Sequence, residues 1–147
     1  MQTLPLTLMN IENSTNNIPK NKTNEYVPGK CNLGYEEIDR RKRNAHRGLI
    51  ITILGIAALQ LFNLSSIWRF LLFMPLSYAI LCYYQAQQKF CVAFGIFGIY
   101  NFLEIGKVTK VSEPEYKIKD KQKAWLIILK SFLLALIIVV VYYFLPI

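Results

Sequence analysis

Long uncharged stretches of this chain, separated by short polar ones, predict helices that cross a membrane. Residues 48–64 and 70–84 carry no charged side chain, and a polar break at Asn63, Ser65 and Ser66 separates them. A helix needs roughly 17–25 mostly apolar residues to cross the hydrocarbon core of a bilayer. Neither stretch alternates apolar with polar residues, as a half-buried strand would. We therefore predict two membrane-spanning helices joined by a very tight turn.

The alternative is a pair of buried helices in a soluble domain, since both stretches are near the short limit for a span. The chain offers no amphipathic helices to cover such a pair, which favours the membrane. Trp68 lies at the turn and Tyr83 and Tyr84 end the second stretch, and such rings prefer the membrane–water interface. Pro75 lies inside the second stretch, where we expect it to kink the helix.

A third span is predicted over residues 124–147, with Trp125 near one interface and Tyr142 near the other. Lys130 is its one charge, about two turns in, or roughly 9 Å along the helix. An intramembrane charge is a functional hypothesis by default. We expect the Lys130 side chain to reach the lipid headgroups. The alternative is that Lys130 pairs with a carboxylate of a partner subunit.

The apolar segment 90–106 is harder to place, because Gly95 and Gly98 weaken a helix. If this segment crossed, the lysine-rich residues 107–123 would lie outside, against the positive-inside rule. We predict an interfacial or re-entrant helix packed against protein. The predicted fold class is an all-α integral membrane protein with a transmembrane hairpin, this apolar helix and a C-terminal transmembrane helix.

Residues 31–47, CNLGYEEIDRRKRNAHR, predict a helix from about Tyr35 that runs into the first span. Acid and base side chains at spacing four support such a helix, and the pairs are Glu36–Arg40, Glu37–Arg41 and Asp39–Arg43. Asn32 is the expected cap. We expect Cys31 to be an unreactive thiol in a loop, and the alternative is a thiol near the positive helix end, where thiol pKa values fall.

The basic side chains before the first span predict its orientation. They are Arg40, Arg41, Lys42, Arg43 and Arg47. By the positive-inside rule they hold the N-terminus in the cytoplasm, which places the C-terminus outside. Arg69 would face the outside, where it reaches the headgroups or pairs with a partner subunit.

Composition divides the chain into four parts. Residues 1–30 are rich in Asn, Thr and Pro, which predicts a disordered or partner-draped arm. Residues 31–106 are predicted to form a membrane hairpin domain and residues 107–123 a basic cytoplasmic loop. Residues 124–147 are predicted to form the last span. The net charge is +8 and 54% of the residues are hydrophobic. Since the basic residues flank the spans, they favour contact with anionic headgroups of the cell membrane over nucleic acid.

Catalytic chemistry has little support in this sequence. Three cysteines and one histidine make neither a disulfide framework nor a probable four-ligand metal site. A thiol site for a metal or for redox chemistry would use Cys31, Cys91 and His46. The sequence contains no hydrolase triad, no carboxylate pair within a span and no phosphate-binding loop, so we do not expect an enzyme. No sequence motif indicates a particular cofactor.

Three pieces carry a resemblance: CNLGYEEIDRRKRNAHRGL, WRFLLFMPL and QAQQKFCVAFGIFGIYNF. They resemble a family of small, uncharacterised bacterial integral membrane proteins that open with Cys-Asn-x-Gly and lead through an Arg-rich helix into a hairpin. The resemblance covers about residues 31–102, so the final span looks like an addition. It implies no activity, but Cys31 and Cys91 match the two family cysteines.

The function expected from these features is that of a small accessory or structural subunit of a larger membrane complex. The first alternative is the thiol site at the cytoplasmic face. The second is an oligomeric channel or transporter, for which only Lys130 and Pro75 give any indication.

Overall fold

The computed structural model describes residues 26–102 and 108–145. The elements are α1 (Tyr35–Leu61), a 3-10 helix (Ser66–Leu72), α2 (Phe73–Gln87), α3 (Val92–Phe97), β1 (Ile99–Tyr100), β2 (Thr109–Lys110) and α4 (Pro114–Phe144). Three helical stretches are long and apolar enough to cross a membrane: α1, the 3-10 helix continued by α2, and α4. The predicted helical membrane fold is confirmed, with one two-residue antiparallel β-pair added to it.

The turn between α1 and the 3-10 helix is as tight as predicted. The backbone N–H of Phe62 still bonds to the Ala58 carbonyl, and Leu64 bonds back to Leu59. Asn63 takes a positive φ of 48°, which asparagine tolerates better than most residues. The chain therefore reverses within four residues and returns beside α1.

Small residues bring α1 and α2 into close contact. The buried face of α1 includes Ala45, Gly48 and Thr52, which recur at helical spacing. A Cβ added at Gly48 would lie only 3.0 Å from the Ala79 Cβ on α2. Where lipid competes with side chains for apolar contact, such close backbone approach is a main source of helix association.

Pro75 lies just after the junction of two helix types in the second span. The chain forms a 3-10 helix first, and α2 begins at Phe73 and continues it directly. The N–H that Pro75 lacks would otherwise bond to a carbonyl of the preceding turn, and the kink expected there stays a prediction. The 7-residue 3-10 helix and the 15-residue α2 rise about 14 Å and about 22 Å, enough together for a 30 Å core.

Helix α4 starts ten residues before the predicted span, so residues 114–123 are helical and not a loop. Pro114 occupies the first helical position, with Glu115 in the first turn, and both are favourable helix starts. One buried face runs along α4 from its polar first turns into its apolar part. The residues of this face are Asp120, Ala124, Ile127, Ser131, Ala135 and Val139. This face packs against α2 and α3, so the last span is an integral part of the core.

The short helix α3 lies against α4. Phe90 and Val92 form a buried cluster with Ala124 and Ile127, as expected for an apolar segment that packs on protein. The helix is shorter than the predicted segment 90–106, because Gly98 ends it at a left-handed φ of 65°. Residues 103–107 of that segment lie outside the described residues.

Arg69 binds the far end of α4. Its Nη1 donates to the carbonyls of Tyr142 at 2.9 Å, Tyr143 at 3.2 Å and Leu145 at 2.9 Å. Its guanidinium also lies 5.0 Å from the centre of the Tyr142 ring. A cation here satisfies the last helical carbonyls and the negative end of the helix dipole. Arg69 thus forms an internal helix cap, which the sequence alone did not indicate.

Replacing Arg69 by leucine should lower the free energy of unfolding by about 2 kcal/mol, because three carbonyls lose a charged donor. Thermal unfolding in a mild detergent measures the change. Arg47→Leu, at an exposed arginine that only flanks α1, is the matched control and should change stability by less than about 0.5 kcal/mol. Equal effects of the two variants would contradict the cap.

Candidate functional site: the polar cluster at the basic end

A cluster of buried polar side chains lies where α1 and α4 begin, which we call the basic end of the bundle. Asn32 is fully buried and pairs with the backbone of Cys91 in both directions. Its Nδ2 donates to the Cys91 carbonyl at 3.1 Å, and its Oδ1 accepts the Cys91 N–H at 2.6 Å. The predicted helix cap is therefore wrong: Gly34 precedes α1, with no side-chain cap bond, because the Asn32 amide is used across the fold.

Backbone hydrogen bonds extend this pairing to a third segment. The N–H groups of Asn32 and Leu33 both donate to the Lys89 carbonyl at 3.2 Å. Asn101 N–H donates to the Asn32 carbonyl at 3.1 Å, and Gly34 N–H donates to the Asn101 carbonyl at 2.6 Å. Residues far apart in the chain are thus joined at one point without a regular sheet.

Gln85 completes the start of α3. Its Oε1 accepts the Val92 N–H at 3.2 Å, and the side chain is buried. The N–H groups at a helix start have no helical partner. Asn32 and Gln85 therefore satisfy two consecutive donors at Cys91 and Val92, which allows a six-residue helix to begin inside the protein.

Asp120 holds the segment that precedes α1. We call residues 26–31 the strap. The fully buried Asp120 carboxylate accepts the Tyr26 hydroxyl at 2.8 Å and the Gly29 N–H at 2.6 Å. The Tyr26 ring stacks on Tyr100 with centroids 4.6 Å apart. Residues 26–30, predicted as the end of the arm, are therefore part of the fold, and residues 1–25 lie outside the described residues.

The strap has the chemistry of a fixed contact. Burial and the neighbouring Asp120 carboxylate raise the pKa of Tyr26, so its hydroxyl stays a donor even at alkaline pH. Gly29 has a φ of 69°, a left-handed conformation that glycine adopts without strain. Its N–H is thereby turned toward Asp120.

The basic residues predicted to orient the protein have different environments. Arg41 is half-buried, and its Nη2 lies 3.0 Å from the Cys91 sulfur. Arg40 pairs with Glu37 at 3.4 Å and Lys42 with Asp39 at 3.6 Å, so these pairs have spacing three and not the predicted four. The other predicted positions are exposed: Arg43, Arg47 and Lys130.

The candidate metal residues do not come together. His46 is exposed, and its Nδ1 lies 2.7 Å from the Lys42 carbonyl on its own helix. Cys91 is buried against Asn32 and Arg41, and Cys31 lies half-buried in the strap. Within residues 26–102 and 108–145, no three His, Cys, Asp or Glu side chains form a group that would hold a metal.

Burial raises the pKa of the Cys31 thiol, whereas the alternative position at a positive helix end would lower it. Brief alkylation at a series of pH values, followed by peptide-resolved mass spectrometry, should therefore give a half-maximal rate for Cys31 above pH 8.5, the value of an ordinary thiol. The same protein in denaturant is the control and should return to about 8.5. A half-maximal rate below that value in the folded protein would contradict the burial argument.

The residues that organise this cluster have weak signals in the sequence. Asp120 lies among lysines and looks like a solvated charge, and Gln85 looks like part of a polar break. The hydrogen bonds of this cluster join the strap, α3 and α4.

Comparisons of the chain with known protein families, curated proteins and solved structures gave no match.

Proposed function

We propose that this protein is a small accessory subunit of a larger membrane complex, and that its N-terminal residues 1–25 bind a partner subunit. The observation that carries the proposal is the attachment of the strap to Asp120. A fully buried carboxylate with two donors holds residues 26–29, which directly follow the N-terminal residues in the sequence. Fixing the residues next to a binding segment lowers the entropy that the segment loses on contact with its partner.

Four other buried polar side chains support a scaffold. Those of Asn32, Gln85, Thr52 and Ser131 are engaged in internal hydrogen bonds. Transport sites in membranes instead use ionisable or unpaired polar groups along a path. These side chains serve to hold helices and loops together, as expected of a packing subunit.

The proposed orientation places the basic end in the cytoplasm. Lys42, Arg43 and Arg47 are exposed near the start of the first span, and such residues are retained on the cytoplasmic side. The partner surface would then be cytoplasmic, and the Arg69 end of the bundle would face outside.

The test is isolation of the tagged full chain at native expression in a mild detergent, followed by sizing and identification of what stays bound. We expect a stoichiometric set of larger membrane proteins. A variant with the order of residues 2–25 scrambled should lose them while its thermal unfolding stays unchanged. A free monomer or a pure oligomer at native expression, or full partner retention by the scrambled variant, would overturn the proposal.

A further inference from the structure

An apolar groove runs along the bundle between α1 and α4, with α2 as its floor. It has a volume of about 370 Å³. Its deep end is formed by Leu76 and Leu134, and its other end, at the basic end, by His46, Tyr83 and Gln87. The polarity of the groove therefore changes along its length, from aliphatic to hydrogen-bonding.

The groove has the length of one leaflet. From Gln87 to Leu76 on α2 the helix rises about 16 Å, roughly half of a 30 Å hydrocarbon core. Leu134, nine residues beyond Trp125 on α4, lies at a similar depth of about 14 Å. The polar residues thus lie at headgroup level, and the aliphatic ones near the bilayer midplane.

The groove is open toward the surface of the bundle that lipid would cover. Leu49 and Leu134, which line it, are exposed apolar side chains. In a bilayer such side chains meet the hydrocarbon chains of lipids. A hydrocarbon chain of a lipid is therefore the occupant that the position and lining of the groove favour.

Charge at the mouth of the groove favours an anionic headgroup. At 3.6 residues per turn, Lys42 lies on the same face of α1 as His46 and Leu49, which line the groove. Lys42 pairs with Asp39 at 3.6 Å, but both side chains are more than half exposed, so this pair is weak. Arg47 lies on the opposite face of the same helix.

We propose that this groove binds an anionic glycerophospholipid, with one acyl chain between α1 and α4 and the phosphate at Lys42. The inference does not depend on the accessory-subunit proposal, because it concerns a different surface. Basic sites between membrane helices are a known way to hold anionic lipids. The acyl chain would lie on α2, in the groove between α1 and α4.

The first test uses the full chain in phosphatidylcholine bilayers with a trace of spin-labelled lipid. Electron paramagnetic resonance then measures the motionally restricted fraction for phosphatidylglycerol and phosphatidylcholine with the same chains. We expect about fivefold preference for phosphatidylglycerol, since one basic residue near an anionic lipid contributes about 1 kcal/mol. Lys42→Glu should remove this preference, whereas Arg47→Glu, the matched charge reversal, should retain it. No preference, or equal losses in the two variants, would overturn the proposal.

The second test fills the groove. Leu134→Trp should remove the preference for phosphatidylglycerol, and Leu133→Trp, one residue away and outside the groove lining, should retain it. Thermal unfolding checks that both variants fold. If Leu134→Trp instead displaces a bound protein while the phosphatidylglycerol preference persists, the occupant is a helix of a partner or a second copy, and the lipid proposal fails.

Discussion

Replacing Asp120 by alanine is expected to release the strap and to lower the free energy of unfolding by about 3–5 kcal/mol. The Tyr26 hydroxyl and the Gly29 N–H both lose a charged acceptor, and each such bond contributes about 1.5–3 kcal/mol. Denaturant or thermal unfolding in detergent measures the loss. Limited proteolysis should show new cleavage within residues 26–31 before the bundle unfolds.

Two variants calibrate the Asp120 result. Tyr26→Phe removes only one donor and should cost about half as much. Asp39→Ala removes an exposed acid on α1 and should change stability by less than about 0.5 kcal/mol. An Asp120→Ala protein as stable as Asp39→Ala, with an uncleaved strap, would show that the buried carboxylate does not hold this segment.

Replacing Gly48 by leucine is expected to force α1 and α2 apart, at a cost of about 3 kcal/mol. Even a single Cβ at this position would lie 3.0 Å from the Ala79 Cβ and 3.2 Å from its Cα, and backbone atoms do not move aside as a flexible side chain does. Unfolding by an increasing fraction of a denaturing detergent measures the effect.

Ala57→Leu is the matched control for Gly48→Leu, since Ala57 is an exposed small residue on the same helix. Its added side chain meets lipid and should leave stability nearly unchanged. If both leucines have the same effect, the close approach of α1 and α2 does not contribute to the stability of the hairpin.

The membrane-spanning elements are the part of this fold that the sequence predicts well. Uncharged stretches of sufficient length leave few structural options in a bilayer, and the break at Asn63 marks the turn. The helix start at Tyr35 also follows from local charge order. These features depend on neighbouring residues only, which is why no tertiary information is needed to find them.

The candidate site is less predictable, because its residues act across the chain. Asparagine is a common helix cap, but the side-chain amide of Asn32 instead bonds to the backbone N–H and carbonyl of the distant Cys91. Asp120 looks solvated until the strap is placed over it. Pro75 illustrates a different problem: the residues around it do not show that a 3-10 helix precedes it and that α2 begins only at Phe73.

Helix α4 is hydrogen-bonded near both of its ends to residues that are synthesised much earlier in translation. Arg69 precedes its α4 acceptors by 73–76 residues, and Tyr26 precedes Asp120 by 94. The α1–α2 hairpin is therefore able to insert and pair while the ribosome still holds the rest of the chain. During that interval Arg69 and the strap lack these α4 partners. Assembly of this protein is thus completed only after residues 142–145 have left the ribosome.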